Sequence, residues 1–126
     1  ETERLRELGL SRQKIACLRE LAQRILTGEL DLRALEDLPD EEVIRRLTAQ
    51  KGIGLWTVQM YLIFALRRPD VMPSQDLGIR AAVRAAWGYE ELPSPREVER
   101  LAEPWKPFRS VASWYLWRSL EDQAGL

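Results

Sequence analysis

Asp76 stands twenty-two residues after Gly54, at the end of Arg68-Pro69-Asp70-Val71-Met72-Pro73-Ser74-Gln75, where two prolines within five residues deny helix. An aspartate just before an apolar helical pattern is first of all an N-cap, worth about 1 kcal/mol, and that role alone would explain it. The same position also fixes the carboxylate beside backbone N–H donors, which favour its ionised form. The two roles are compatible, so Asp76 is a candidate for electrostatic chemistry.

A second candidate is the turn Gln50-Lys51-Gly52-Ile53-Gly54, between one amphipathic helix and the apolar run Leu55 to Leu66. Glycines permit backbone conformations closed to other residues and let another backbone come close. The free N–H groups of the following helix point outward with the positive end of its dipole, so an anion, above all a phosphate, is the natural guest. Ile53, between the glycines, is expected to turn inward as a peg. The bland alternative is a plain glycine-rich turn between two helices. The third set is aromatic: Trp56, Tyr61, Phe64, Trp105, Phe108, Trp114, Tyr115 and Trp117. Most are expected to be core, although aromatic walls also suit a flat or cationic guest.

Composition limits the chemistry further. The 126 residues contain no histidine and one cysteine, Cys17. A histidine base, a His-containing or four-cysteine zinc site, a cysteine-ligated iron–sulfur cluster and a disulfide within the chain are all excluded. Catalysis must rest on carboxylates, hydroxyls, lysine or backbone, and no cofactor is expected. The net charge of −1 argues against a generic polycation, but the charge is uneven. From residue 45 to 89 the basic residues Arg45, Arg46, Lys51, Arg67, Arg68, Arg80 and Arg84 face only Asp70 and Asp76 as acids. Ordinary solvated helix faces would account for this equally well. The longest nearly apolar run, Leu55 to Leu66, is well short of a bilayer span, and no charged-then-apolar leader stands at the start. A soluble, intracellular chain of one globular domain is expected.

The elements that must hold these residues are helical. Ile15, Leu18, Leu21, Ala22, Ile25 and Leu26 repeat at helical spacing behind a capping Ser11, with Cys17 read as core and Gly28 as the stop. A short helical piece covers 31 to 37. Pro39-Asp40-Glu41-Glu42 starts the next helix, with Val43, Ile44 and Leu47 as its inner stripe. Further helices are predicted from Gly54 or Leu55 to Leu66, from Asp76 to Trp87, from Ser94-Pro95 to near Pro104, and from Phe108 to about Asp122. No strand-like alternation persists, so the fold is all-α, a helical bundle with the hairpin motif at about 39 to 67. Residues 4 to 12, RLRELGLSR, faintly echo the helix–Gly–hydrophobic–helix pattern.

Taken together, Gln50-Lys51-Gly52-Ile53-Gly54-Leu55-Trp56-Thr57, the proline-bearing loop ending in Ser74-Gln75-Asp76-Leu77, and Trp105-Lys106-Pro107-Phe108-Arg109-Ser110 resemble the helix-hairpin-helix (HhH-GPD) DNA glycosylases. The likeness is nearest to the 3-methyladenine DNA glycosylase II, or alkyl-base, branch and covers nearly the whole chain. It implies base excision repair of alkylated purines such as 3-methyladenine and 7-methylguanine in double-stranded DNA. In this family the hairpin grips a phosphate, often with a monovalent cation at its carbonyls, and the damaged nucleotide is flipped into an aromatic pocket. The aspartate assists breakage of the N-glycosidic bond. Carried onto this sequence, the resemblance makes Asp76 the catalytic carboxylate, and Gly52, Ile53, Gly54 and Thr57 the phosphate grip. Lys51, Arg80 and Arg109 are weaker candidates for backbone contact, and Gly52 and Gly54 carbonyls for the cation. Trp56 and Trp117 line the base pocket. A pocket tyrosine of some members falls on Met60, with Tyr61 next to it.

Strand-cutting members carry a nucleophilic lysine two residues after the second hairpin glycine, where this chain has Trp56. An indole cannot form a Schiff base, so a monofunctional glycosylase is expected. The family's earlier helices, with their wedge residue, have no counterpart here. The chain is therefore expected to be the C-terminal part of a longer glycosylase, or to need a partner for the rest. A monomer in the cytoplasm, associated with the nucleoid, or in the nucleus is expected. The rival readings are a non-catalytic hairpin module that binds DNA, an all-α protein-interaction domain, and a glycosylase for another lesion.

Overall fold

A computed structural model describes residues 2–123. It is helical, with no strand among those residues. The chain forms two compact units, residues 1–58 and 59–126.

The first unit contains α1 (Thr2–Glu7), α2 (Arg12–Leu26), a 3-10 turn (Ala34–Asp37), α3 (Asp40–Thr48) and the start of α4 (Leu55–Met60). Ser11 caps α2, its Oγ accepting from the Lys14 N–H at 3.2 Å. Asp40, Glu41 and Glu42 occupy the first turn of α3 and Arg45 and Arg46 its last, matching the helix dipole at both ends. Glu42 also accepts from Arg45 and Arg46. The bonds from these two guanidiniums hold its carboxyl down to about 2. Val43 and Leu47 are buried and Ile44 is half-buried, as the stripe predicts. Of the α2 stripe only Ile15 is buried, while Leu18 and Leu26 are exposed. Periodicity reports which face of a helix is apolar, and not whether anything covers it. The faint echo at residues 4 to 12 is built as a helix–turn–helix, with Gly9 at φ 88° between α1 and α2.

In the second unit the helix begun by α4 widens into a π turn over Tyr61–Ala65, with the Leu66 N–H donating to the Tyr61 carbonyl at 3.0 Å. The segment after it is extended, and Val71, Met72, Pro73 and Ser74 are all buried. Then come α5 (Leu77–Trp87), α6 (Pro95–Ala102) and α7 (Arg109–Gln123). Gly88 ends α5 at φ 70°, and Ser94 with Glu97 forms a capping box on α6. Met72, Ile79, Ala82, Val83, Val98, Ala102 and Leu116 make the core of this unit.

That core corrects one expectation. Among the described residues no aromatic ring is fully buried, and Trp56, Phe64, Phe108, Trp114 and Tyr115 are exposed. The aliphatic positions fill the space between α5, α6 and α7. The aromatics of α7 fall on several of its faces, and only one face can point inward. Among the described residues, no helix is long and apolar enough to cross a membrane.

Candidate active site

The hairpin is assembled from the end of α3. Past Thr48 the chain turns tightly, the Gln50 N–H donating to the Leu47 carbonyl and the Ile53 N–H to the Gln50 carbonyl, each at 3.2 Å. Gly52 then takes φ 92°, which a side-chain-bearing residue adopts only with strain. Space favours glycine as well: a Cβ there would crowd Cys17 Sγ at 3.1 Å and Cys17 Cβ at 3.2 Å. Cys17 is half-buried against the turn, which replaces its assignment to the core, because it abuts a backbone near the surface. Gln50 is 1% exposed. Its Nε2 donates to the Cys17 carbonyl at 2.9 Å, and its Oε1 accepts from Arg24 at 3.3 Å. Both ends of the amide are thus engaged beneath the turn.

Above this anchor Lys51, Gly52, Gly54, Trp56 and Thr57 are exposed, and Ile53 is half-buried, a partial peg. The Gly54 carbonyl accepts from the Val58 N–H at 3.2 Å and, as a carbonyl with two lone pairs, keeps acceptor capacity. Neutral carbonyls on a surface turn are the donor type a monovalent cation takes. Among the described residues no three His, Cys, Asp or Glu side chains cluster as a polyvalent metal would need.

Asp76 lies in the second unit, at the N-cap of α5. Its Oδ1 accepts from the Ile79 N–H at 2.8 Å and from the Trp117 Nε1–H at 3.0 Å. Trp117, half-buried on α7, stacks on Phe64 with ring centroids 5.9 Å apart. Gly78 completes the contact: a Cβ there would lie 3.0 Å from Asp76 Oδ1 and 3.2 and 3.3 Å from Trp117 Cδ1 and Nε1.

The segment leading to Asp76 is fastened at several points. Gln59 donates to the Met72 carbonyl at 3.3 Å, and Ser74 Oγ donates to Glu99 at 2.8 Å. Ser110 Oγ donates to the Arg68 carbonyl at 2.6 Å and accepts from the Val71 N–H at 2.9 Å. Arg109 grips Asp70 with Nε at 2.7 Å and Nη2 at 3.1 Å. This guanidinium holds the Asp70 carboxyl below its ordinary value of 3.8. Arg109 thus acts here as a clamp inside its unit. Arg80 is likewise engaged, its Nε donating to the Pro93 carbonyl at 2.7 Å. Met60 and Tyr61 are half-buried where α4 gives way to the π turn.

Of the residues singled out from sequence, the structure brings Asp76 and Trp117 into direct contact and gathers Lys51 to Gly54 on one turn, with Thr57 in the first turn of α4. Sequence reading passed over Gly78, the stacking of Phe64 on Trp117 and the pairing of Asp70 with Arg109. Gly78 carried a usable signal, since glycine is a poor helix former and its place as the second residue of α5 calls for a reason.

Comparison with known proteins shows the family of the chain. Residues 1–107 match the model of the HhH-GPD superfamily base excision DNA repair protein. The chain belongs to that superfamily and has its all-helical fold. It is 42% identical over 116 residues to DNA-3-methyladenine glycosylase 1 of Schizosaccharomyces pombe, covering 91% of this chain and 51% of that protein. With the putative DNA-3-methyladenine glycosylase YfjP of Bacillus subtilis it shares 35% over 117 residues, covering 93% and 41%. The solved structure of the S. pombe enzyme, in complex with abasic DNA, superposes with a TM-score of 0.91 at 41% identity over 96% of this chain and 59% of that one. The 3-methyladenine DNA glycosylase of Archaeoglobus fulgidus gives 0.78 at 36%, over 91% and 38%. The chain spans about half the length of the relatives it matches.

Proposed function

We propose that this chain carries the catalytic aspartate and the phosphate-gripping hairpin of a base excision repair glycosylase that removes alkylated purines, 3-methyladenine and 7-methylguanine among them, from double-stranded DNA. The observation that carries the proposal is Asp76: a carboxylate held by a backbone N–H and an indole N–H, in a chain of the HhH-GPD superfamily.

An alkylated base is electron-poor and already a good leaving group. The barrier is therefore the positive charge that develops on the sugar, and a fixed carboxylate lowers it electrostatically. Asp76 stabilises that charge or orients the attacking water. Gly52, Ile53, Gly54 and Thr57 present the hairpin to a DNA phosphate, with Lys51 as a supporting cation, while Arg80 and Arg109 are engaged within their own unit by the Pro93 carbonyl and Asp70. A monovalent cation at the Gly52 and Gly54 carbonyls would add positive charge beside that phosphate. The proposed base-contacting residues are Trp56 in the first unit and Trp117, Met60 and Tyr61 in the second. Trp56 stands where a Schiff-base lysine would be needed to cut the strand, so the product is an intact abasic strand. Such an enzyme works as a monomer wherever the DNA is, in the nucleus or on the nucleoid.

Release of free base from methylated duplex DNA tests the reading, with strand breaks scored before and after alkali, for the purified chain and for Asp76→Asn. Base release by the parent alone, with breaks only after alkali, is the expected result. Strand cleavage without alkali would overturn the monofunctional assignment, and undiminished release by Asp76→Asn would overturn the role of the aspartate.

A further inference from the structure

We propose that Trp117 is a positioning residue for the Asp76 carboxylate, its indole N–H and the Ile79 N–H jointly fixing Oδ1 while Gly78 stays bare to admit them. The proposal rests on the reading of Asp76 as the catalytic group and adds to Trp117 a task distinct from lining a pocket.

A capping aspartate needs one bond, and the Ile79 N–H supplies it at 2.8 Å. The second donor arrives from α7, forty-one residues further along the chain, at 3.0 Å on the same oxygen. One hydrogen bond leaves the carboxylate free to swing about it, whereas two donors from different directions fix its plane. The indole is itself constrained, stacked on Phe64 and packed against the core of its unit, so it aims its N–H rather than following the carboxylate. Gly78 is the independent sign of this design. Its backbone is not left-handed, so conformation does not require glycine there; a Cβ would instead crowd Asp76 Oδ1 at 3.0 Å and the indole at 3.2 and 3.3 Å, and these side chains would have to give way by a few tenths of an ångström. The helix thus keeps a residue that weakens it exactly where carboxylate and indole converge. An ordinary cap would be better served by alanine at this position.

The test has two arms. In the first, 15N-indole NMR of the purified chain assigns Trp117 by Trp117→Phe. The Trp117 Nε1–H is expected to be protected from exchange with water, and Asp76→Asn is expected to shift it more than any of the other four indoles. A rapidly exchanging signal that Asp76→Asn leaves in place would overturn the contact.

The second arm is single-turnover base release. Trp117→Phe keeps an aromatic wall and loses the N–H, and a bond to a charged acceptor lost in this way lowers the rate constant about ten- to a hundredfold without weakening half-saturation by DNA. Gly78→Ala is expected to do the same by pushing the two groups apart, and it serves if Trp117→Phe does not fold. Added to Asp76→Asn, Trp117→Phe should slow the residual rate no further. Losses that multiply in the double variant, or that fall on half-saturation, would overturn the proposal and leave Trp117 a wall. If the parent chain releases no base, what fails is base release by this chain alone, and the NMR arm still decides the Trp117–Asp76 contact.

Discussion

The hairpin and the aspartate segment are held in place by opposite means. The hairpin presents backbone, and its shape is set by one left-handed glycine over a neutral amide, with Gln50 tied to Cys17 and Arg24 beneath it. The aspartate segment presents a side chain. It is fastened by side chains drawn from α7, namely Trp117, Ser110 and the Arg109 guanidinium on Asp70. The difference follows from the proposed tasks. A phosphate is recognised by N–H groups whose directions follow from φ and ψ, so a local turn suffices. A carboxylate that meets a developing charge must be aimed, and aiming requires partners from elsewhere in the chain.

Asp76→Asn should have the largest effect. It keeps the cap and removes the charge, so base release is expected to fall at least 10²- to 10³-fold, the order associated with loss of one electrostatic stabiliser. Thermal unfolding of the same variant should change little. A large loss of stability with retained activity would mean that Asp76 is only a cap.

Next come the glycines of the first unit. Gly9 and Gly52 both have positive φ, so alanine at either costs about 1–2 kcal/mol in backbone strain. Only Gly52 also meets a neighbour, while a Cβ at Gly9 finds nothing within 4 Å. In urea unfolding Gly52→Ala should therefore be the more destabilising of the two, and it alone should weaken DNA binding. Equal losses at both positions would show that the contact with Cys17 is immaterial.

Gln50→Leu removes the amide from beneath the hairpin and leaves the Cys17 carbonyl without that partner. A cost of about 1–3 kcal/mol is expected in denaturant unfolding, together with weaker DNA binding. A stable variant that has lost only DNA binding would place Gln50 in the grip itself.

The smallest effect belongs to acid. Asp70 has its folded pKa lowered, chiefly by the hydrogen bond from Arg109. A depressed carboxyl contributes stability that is fully present above its unfolded value near 3.8 and is lost as pH falls through the lower folded value. Unfolding midpoints measured from pH 5 downward should drop, and Asp70→Asn should flatten part of that slope while lowering stability at neutral pH. A slope unchanged by Asp70→Asn would assign the acid sensitivity to other carboxylates. The exposed Glu42, held down to about 2 by Arg45 and Arg46, should matter less, because solvent screens an ion pair on a helix surface.

Local chemistry was legible in the sequence wherever the cause was itself local. Ser11, Asp76, Ser94 and the glycines at 28, 52 and 88 mark where helices start and stop, since capping and positive φ depend on a residue and its next few neighbours. The hairpin and the all-α class were legible for the same reason. What tertiary structure alone decided is which faces are covered and which side chains meet. It left much of the α2 stripe and most aromatics exposed, seated Cys17 under Gly52, and set Trp117 and Gly78 around Asp76. Such contacts join residues tens of positions apart, and their geometry is fixed by how helices pack, which hydrophobic spacing along one helix cannot encode.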